Sequence, residues 1–515
     1  MQYDIIFLLG ELFFDHPLSG AAILKRLLEK NGYNIGIIEM PQKPEDITQL
    51  GTPKLFFAIS SGSIDSMIRN YTPQKRLRKD DKNLDYNENV PNRAVITYSN
   101  WVRQKYKDTK MVIGGTEATL RRFTHYDYWD NKLRKPILLD SRADILAYGN
   151  AEKQILEIAK RIKNNEDLTE IEGTCITSKN LPKNFTELPS HEEVSTSKEK
   201  FCDMQNQLSN NKNLAQKIDN RYLLQYKIPK YTPKDLDEYY ELEFTRKIPS
   251  KHLRGFEFSV VTHRGCIGEC NFCSLTLTQG NRIISRSEES ILKEIKKITK
   301  LKHFRGNIDD LGGPSANMYG MDCNKCQGKC ITCNKLDRSN ERLINLLRQA
   351  RKVPGVKKVY IRSGIHYSLT TDKYIKEIAQ HHISGTLKIA PEHVNKKVLK
   401  LMNKDQGNLK EFIKKFKTTG KKLAFYFITA HPGSSMKEAE ELAEQIKHLE
   451  NADSVQVFIP TPMTVSTCMY YTSLDPKTKK KIYVPYTYSE KKKQKEIIFK
   501  NKIYTPQTHP LRKTT

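Results

Sequence analysis

The stretch "THRGCIGECNFCSL", residues 262–275, sets Cys266, Cys270 and Cys273 in a C-x3-C-x2-C spacing. Structural zinc prefers four protein ligands, whereas a four-iron cluster takes one thiolate per iron. Three thiols therefore leave one iron open to a substrate or cofactor; zinc or an unrelated thiol site are the alternatives. Gly265 and Gly268 suit a backbone that wraps closely around a bound group.

Outward from this triplet, residues 256–459 carry six β-like runs: "FEFSVV", "FRGNIDDL", "KKVYI", "GTLKIA", "KLAFYFI" and "DSVQVFI". Helical stretches separate them. In the first, Ile291, Leu292, Ile295 and Ile298 share a face behind Ser287 as N-cap, with Glu288 and Glu289 in the first turn. Six β/α units predict a partial barrel, a (β/α)6 relative of the TIM barrel. Each run precedes a polar or glycine-rich loop: "THRGCIGEC", "GGPSANMYG", "RSGIHYS", "PEHV", "TAHPGSS" and "PTPMT". Active sites of β/α barrels gather at the C-terminal strand ends, so these loops are expected to converge on one mouth.

Residues 1–165 alternate apolar runs and amphipathic stretches, which predicts a Rossmann-like α/β domain. Residues 166–250 are polar, with Pro229, Pro233 and Pro249, and read as a linker with short helices such as "TPKDLDEYYELEF". Residues 251–475 form the barrel, with a four-cysteine insertion at 321–335. The segment 476–515 reads as a basic extension with one helix, partly disordered. No run is long enough to span a bilayer, and the N-terminus lacks a basic n-region and cleavage site, so a soluble, cytoplasmic chain without a membrane anchor is expected. Seven of ten cysteines lie in two tight clusters, as metal thiolates do in reducing compartments; Cys175, Cys202 and Cys468 are scattered and read as structural. The net charge of +28 favours polyanionic partners, although the lysines are spread over solvated helix faces.

"RGCIGECNFCSL", with Phe272 before the last cysteine and at the start of a six-unit β/α run, resembles the radical SAM superfamily. The likeness extends along nearly the whole chain to the YgiQ family, through "DHPLSGAAILKRLLEKNGYNIGIIEMPQ", "RRFTHYDYWDNKLRKPILLDSRADILAYGN", "QGNRIISRSEESIL", "GTLKIAPEHV", "AHPGSS" and "FIPTPMTVSTCMYYTSLDP". The resemblance implies that Cys266, Cys270 and Cys273 hold a 4Fe-4S cluster whose fourth iron takes the amino and carboxylate groups of S-adenosylmethionine (SAM). Reduction by a donor such as flavodoxin or ferredoxin then splits SAM to methionine and a 5′-deoxyadenosyl radical that abstracts hydrogen from substrate. The loop after the second strand often ends in an acidic residue in that superfamily. Here it reads Gly312-Gly313-Pro314, so only the close backbone approach of Gly312 and Gly313 carries over. Arg286, Lys388, Glu392 and His393 are candidates for SAM or substrate, against a reading as ordinary cap and loop polarity.

The second cluster, "CNKCQGKCITC", spans Cys323, Cys326, Cys330 and Cys333 and contains the same C-x3-C-x2-C spacing. Its context is a loop rather than the end of the first strand. It reads as a second metal site, an auxiliary iron–sulfur cluster ahead of zinc. The N-terminal "FFDHPLSG" is similar to cobalamin-binding domains, yet Asp15-His16 with Gly20 does not fit their D-x-H-x-x-G motif, so base-off cobalamin binding is not expected. His16, Asp65, Glu117, Arg121 and Arg122 either shape a crevice or brace the domain interface; bracing is the expectation. The absence of cysteine before Cys175 argues against a methylthiotransferase. The substrate is not legible; RNA, a peptide or a small metabolite each suit a basic, wide-mouthed barrel. The rival to SAM cleavage is an RNA-binding zinc or iron–sulfur protein.

Overall fold

The computed structural model of the chain describes residues 2–78, 90–250, 253–323, 326, 329–404, 407–449, 451–452 and 454–500. Strands made of continuous apolar runs need cover on both faces. Ile5–Leu9 is such a run, buried throughout, and it pairs in parallel with Ile35–Glu39 and Phe56–Ser60. Lys110–Ile113 and Ile145–Ala147 continue the parallel order, and the helices Gly20–Lys30, Ala94–Lys105 and Glu152–Lys163 accompany these strands. This is the expected Rossmann-like domain.

The region expected as a polar linker, 166–250, does not behave as one. Thr174–Ser178, Arg221–Gln225, Leu214–Ile218 and Thr186–Leu188 extend the same sheet to nine strands, the first three joined antiparallel. Its polarity is partly internal. Gln216 and Gln225 are fully buried, and their amides are satisfied by backbone carbonyls: Gln216 Nε2 donates to Pro189 O (3.0 Å) and Gln225 Nε2 to Ser209 O (2.8 Å). Hydrogen-bonded buried amides carry little penalty. The helix Pro233–Tyr240 does form, closed by a capping box between Thr232 and Asp235 with proline in its first turn.

The barrel follows in chain order. Ser259–Val261 pairs in parallel with Asp310–Gly312, and Asn307–Ile308 with Lys358–Val359. A parallel bridge, Ile365 to Ile389, leads on to Thr386–Glu392, Lys422–Thr429 and Ser454–Val457, themselves a parallel sheet. The helices Glu288–Ile298, Glu341–Lys352, Asp372–His381, Leu409–Lys417 and Met436–Ile446 pack their apolar faces on these strands. Ser287 caps the first of them, as expected, by accepting from Ser290 N.

The C-terminal helix Tyr488–Lys500 is docked rather than free. Ile498 is buried in the barrel core, and Gln494 binds Ala430 N (3.0 Å) and Ser434 O (2.8 Å). Lys491 is buried between the Tyr128 and Tyr470 rings, which joins this helix to the N-terminal domain. Of the extension 476–515, expected to be partly disordered, residues 476–500 are described, with Lys481 bridged to Leu474, and 501–515 lie outside the described residues. Among the described residues, no helix is long and apolar enough to cross a membrane.

Candidate functional site

The first cysteine loop follows the opening barrel strand, and the backbone dictates its path. Gly265 has φ +88°, and a Cβ there would lie 1.7 Å from Arg282 O, so no side chain fits. A Cβ on Gly268 would sit 3.5 Å from the Cys266 sulfur and 3.6 Å from the Cys270 sulfur, so two thiols flank a bare stretch of backbone. The short helix Lys396–Leu401 and the turn after it clamp the loop. Asn271 N donates to Met402 O (2.9 Å), Asn271 Nδ2 to Leu401 O (2.8 Å), and Asn403 Nδ2 to Glu269 O (2.8 Å). Ser466 N donates to Asn271 O (2.9 Å) from the first turn of the helix Val465–Thr472, which follows the sixth strand. Phe272 lies edge-on to His431, with centroids 6.4 Å apart.

The thiols sit in a low-dielectric setting. Burial pushes all three up, Cys270 to about 12, while the Lys404 ammonium works in the opposite direction. Lys404 is 8 % exposed; burial pulls it down, but Cys270, Glu392, Tyr367 and Cys266 outweigh this, so its proton is held more tightly than usual. Glu392 stands at a register shift with φ +71°, a conformation that costs energy for a residue with a side chain. Burial pushes its carboxyl up to about 7, against the pull of Lys404. A cation and a carboxyl group thus lie beside the thiols.

Around them, buried imidazoles have a nitrogen without a hydrogen-bond partner: His263, His366 and His393, each at Nε2. Burial holds these rings neutral, lowered to about 4, 3 and 4. Unpartnered buried polar atoms are uncommon in folded proteins and mark places where a ligand completes the bonding. Gly313 packs directly on His263, since a Cβ would be 2.5 Å from Cε1, and a Cβ on Gly312 would be 2.0 Å from Ser363 Oγ. Both glycines thus lie tight against neighbouring side chains of the protein.

Two other candidates lie elsewhere. Arg286 is fully buried and engaged: it donates to Val261 O (2.8 Å), Ser290 Oγ (2.8 Å) and Glu294, and stacks on Tyr240 (4.6 Å). It braces the first strand against its helix, because a buried guanidinium is stable only when its donors and charge are matched. Lys388 is exposed on the strand that ends at Glu392. Lys404, His263, His366, Asn271 and Asn403 were not singled out from sequence; each is one polar residue in an ordinary string, without a spacing signal.

The second loop is built differently. Cys326 is exposed, Cys330 buried, and Cys323 and Cys333 half-buried. Cys330 and Ile331 pack with Ile267 of the first loop, Met318 and Met321. Arg282 ties the loops together: its carbonyl lies against Gly265, while its guanidinium donates to the Cys330 sulfur and to Cys326 O (2.7 Å). Among the described residues, no three His, Cys, Asp or Glu side chains meet closely enough to hold a single metal ion. A cluster that gives an iron to each thiolate does not require them to meet at a point.

Two spaces flank the first loop. Cys270 and Cys273 open on an outer cleft of about 1400 Å³, whose charged lining is Lys329, Arg338, Lys397, Lys400 and Lys477 against Glu269 and Asp475. On the other side, a cavity of about 600 Å³ lies between the barrel mouth and the C-terminal ends of the parallel strands of the N-terminal sheet. Of the N-terminal candidates His16 bonds toward the barrel, while Asp65, Glu117, Arg121 and Arg122 bond within the N-terminal domain. His16 accepts from Leu18 N (3.0 Å) at Nδ1 and meets Arg246 (2.9 Å) and Glu257 O (3.0 Å) at Nε2. Asp65 caps the helix Ser66–Asn70 and pairs with buried Arg121; Glu117 accepts from Ser66 N and Val95 N; Arg122 is held by Gln225, Thr119 O and Asn210.

The chain matches a radical SAM N-terminal family model over residues 1–257, the radical SAM superfamily model over 260–446 and a domain of unknown function, DUF3362, over 453–502. A UPF0313 protein of Methanocaldococcus jannaschii is 45% identical, with 96% of this chain and 89% of that relative covered. One from Fusobacterium nucleatum is 41% identical, covering 96% and 95%. Among solved structures, the radical SAM methyltransferase TsrM of Kitasatospora setae, solved with cobalamin and a 4Fe-4S cluster, matches at TM-score 0.55 and 13% identity, covering 91% of this chain and 79% of that one. OxsB, a cobalamin-dependent SAM radical enzyme, matches at 0.51 and 12%, covering 97% and 57%. Those two likenesses concern the fold, an α/β domain followed by a radical SAM barrel. By its near full-length identity to the UPF0313 proteins and its radical SAM domain, the chain belongs to the UPF0313, or YgiQ, family and is a radical SAM enzyme.

Proposed function

We propose that Cys266, Cys270 and Cys273 hold a 4Fe-4S cluster with one open iron, that SAM docks there, and that this chain cleaves it reductively to act on a substrate by hydrogen abstraction. The observation that carries the reading is the pair of sulfurs facing the bare backbone of Gly268, on a loop clamped at the mouth of the barrel. When bound, the cluster supplies the electron that splits the sulfonium of SAM into methionine and a 5′-deoxyadenosyl radical. The residues present fit these groups: three half-buried thiols, a cation at Lys404, a carboxyl at Glu392 and the unpartnered imidazole nitrogens of His366 and His393. Lys404 has the charge to take the SAM carboxylate. Glu392 takes the amino group, the task for which Gly312-Gly313-Pro314 offers no acid. The rings of Phe272, His431 and Phe458 keep water from the loop on the side of the sixth strand.

The basic outer cleft suits an acidic electron donor such as flavodoxin or ferredoxin. The second quartet is assigned as an auxiliary metal site, iron–sulfur before zinc; burial pushes the Cys330 thiol up, and the Arg282 guanidinium on its sulfur works in the opposite direction. Cobalamin, present in TsrM and OxsB, finds no lower ligand in His16, whose two nitrogens are both engaged. Anaerobic reconstitution with iron and sulfide, followed by dithionite and SAM, is expected to release 5′-deoxyadenosine. Iron-loaded protein that yields none contradicts the reading. Metal analysis separates it from the RNA-binding zinc alternative, which predicts stoichiometric zinc and binding that weakens steeply with salt.

A further inference from the structure

The seam cavity between the two domains has a chemistry unlike the rest of the chain. The protein carries 87 lysines and arginines against 59 acidic residues, yet among the described residues no lysine lines this space. Its charged lining is Glu11, Glu152 and Asp310 with the single guanidinium of Arg264. Arg264 is already matched, donating to one oxygen of Glu152 at 2.6 Å and to Tyr240 Oη at 3.1 Å. Asp310 accepts from Ser363 Oγ (2.6 Å) and from the backbone of Arg362 and Ser363, so its charge is fixed in place.

Three buried atoms from residues that line the cavity have no hydrogen-bond partner: the second oxygen of Glu152, Ser259 Oγ and His263 Nε2. Glu152 comes from the N-terminal domain, Ser259 from the first barrel strand Ser259–Val261 and His263 from the short strand His263–Arg264 that follows it. All three residues are less than a tenth exposed. A carboxylate only accepts, and a hydroxyl and a neutral imidazole both can; an ammonium offers three N–H donors. At the rim, Leu18 and Phe256 are 43% and 50% exposed, an apolar surface with nothing on it.

We propose that this cavity binds a small organic amine with an apolar body, the amine toward Glu152, Ser259 and His263 and the body under Leu18 and Phe256. Of the three carboxylates Glu11 pairs with Arg69 and Glu152 with Arg264, so an anion would meet chiefly the charge of Asp310 and the unshared oxygen of Glu152, which disfavours phosphate-bearing molecules, RNA among them, against an amine. The description of the amine as the substrate rests on the SAM-cleavage reading; the binding itself does not.

The test uses the full chain as isolated, without cluster, and three matched probes: phenethylamine, 3-phenylpropionate and phenyl phosphate, followed by ligand-observed NMR and calorimetry. Phenethylamine is expected to bind about tenfold or more tighter than either anion. Glu152→Gln is expected to weaken it by a similar factor, and Ala21→Trp, which fills the cavity from the helix Gly20–Lys30, to abolish it. Should Glu152→Gln fail to fold, Ala21→Trp decides alone. Equal or tighter binding of an anion, amine binding that survives Ala21→Trp, or displacement of the amine by SAM or by hydroxocobalamin overturns the proposal. Amine binding without 5′-deoxyadenosine from reconstituted protein would sink the cleavage reading and leave this site standing; cleavage without amine binding would do the reverse.

Discussion

The two cysteine loops share a C-x3-C-x2-C spacing and are built in opposite ways. The first is held tightly: Gly265 admits no side chain, Asn271 and Asn403 pin the backbone, and buried Lys404 and half-buried Glu392 lie beside the thiols. The second lies open at Cys326 and borrows its order from the first, through Arg282 and Ile267. Spacing gives a loop the right donors. The surrounding fold decides whether the site can be shaped for a reaction or only for holding a metal, because preorganisation comes from the residues that fix the ligands.

The largest effects separate the loops by function. Cys270→Ala is expected to abolish 5′-deoxyadenosine formation, whereas Cys330→Ala retains it and loses only the metal of the second site; product and iron counts on the two variants check this. If Cys330→Ala is as dead as Cys270→Ala, the loops are not distinct in role. Next come the glycines. Gly265→Ala would bring a Cβ to 1.7 Å from Arg282 O at positive φ and is expected to cost about 2–5 kcal/mol and to strip the first loop of iron. Gly268→Ala meets its neighbours at ordinary contact distances and is expected to leave the melting temperature of the cluster-free protein within a few degrees while lowering iron uptake.

Acid sharpens the contrast further. His263, His366 and His393 are buried neutral on the side of the first loop, with folded values near 4, 3 and 4 against about 6.5 when unfolded. Between these limits the unfolded chain binds more protons, so stability falls as pH drops below about 6.5, by up to about 1.4 kcal/mol per pH unit for each ring. Hydrogen exchange on the cluster-free protein at pH 7 and pH 5 is expected to accelerate in the segments carrying these rings before it does around the second loop. The smallest effect is that of Asn271→Ala, which removes the bond to Leu401 O and is expected to cost about 1 kcal/mol in denaturant unfolding, with slower cluster loading.

Much of this was written in the sequence in a form that physics makes readable. Most barrel strands show as short β-branched or aromatic runs with alternating burial, such as Lys422–Thr429, and the triplet shows by its spacing at the end of the first of them. The strands of 166–250 were hidden: their buried positions include Gln216 and Gln225, whose polarity is cancelled only by partners distant in sequence or set by local turns. Arg286 was misplaced for a related reason. Its acid, Glu294, comes from the following helix, and only the folded pair reveals a brace rather than a ligand contact. Lys404 and His366 had no motif to mark them; they matter through burial beside the thiols, which no single stretch of sequence encodes.

The central claim is that the first triplet leaves one iron open for SAM. Electron–nuclear double resonance on the reduced, reconstituted protein with SAM labelled at its amino nitrogen tests it most directly. A nitrogen hyperfine coupling to the cluster, lost in Cys270→Ala and retained in Cys330→Ala, is the predicted result. A reduced cluster bound by the triplet that shows no coupling, or coupling that follows the second loop, would contradict it.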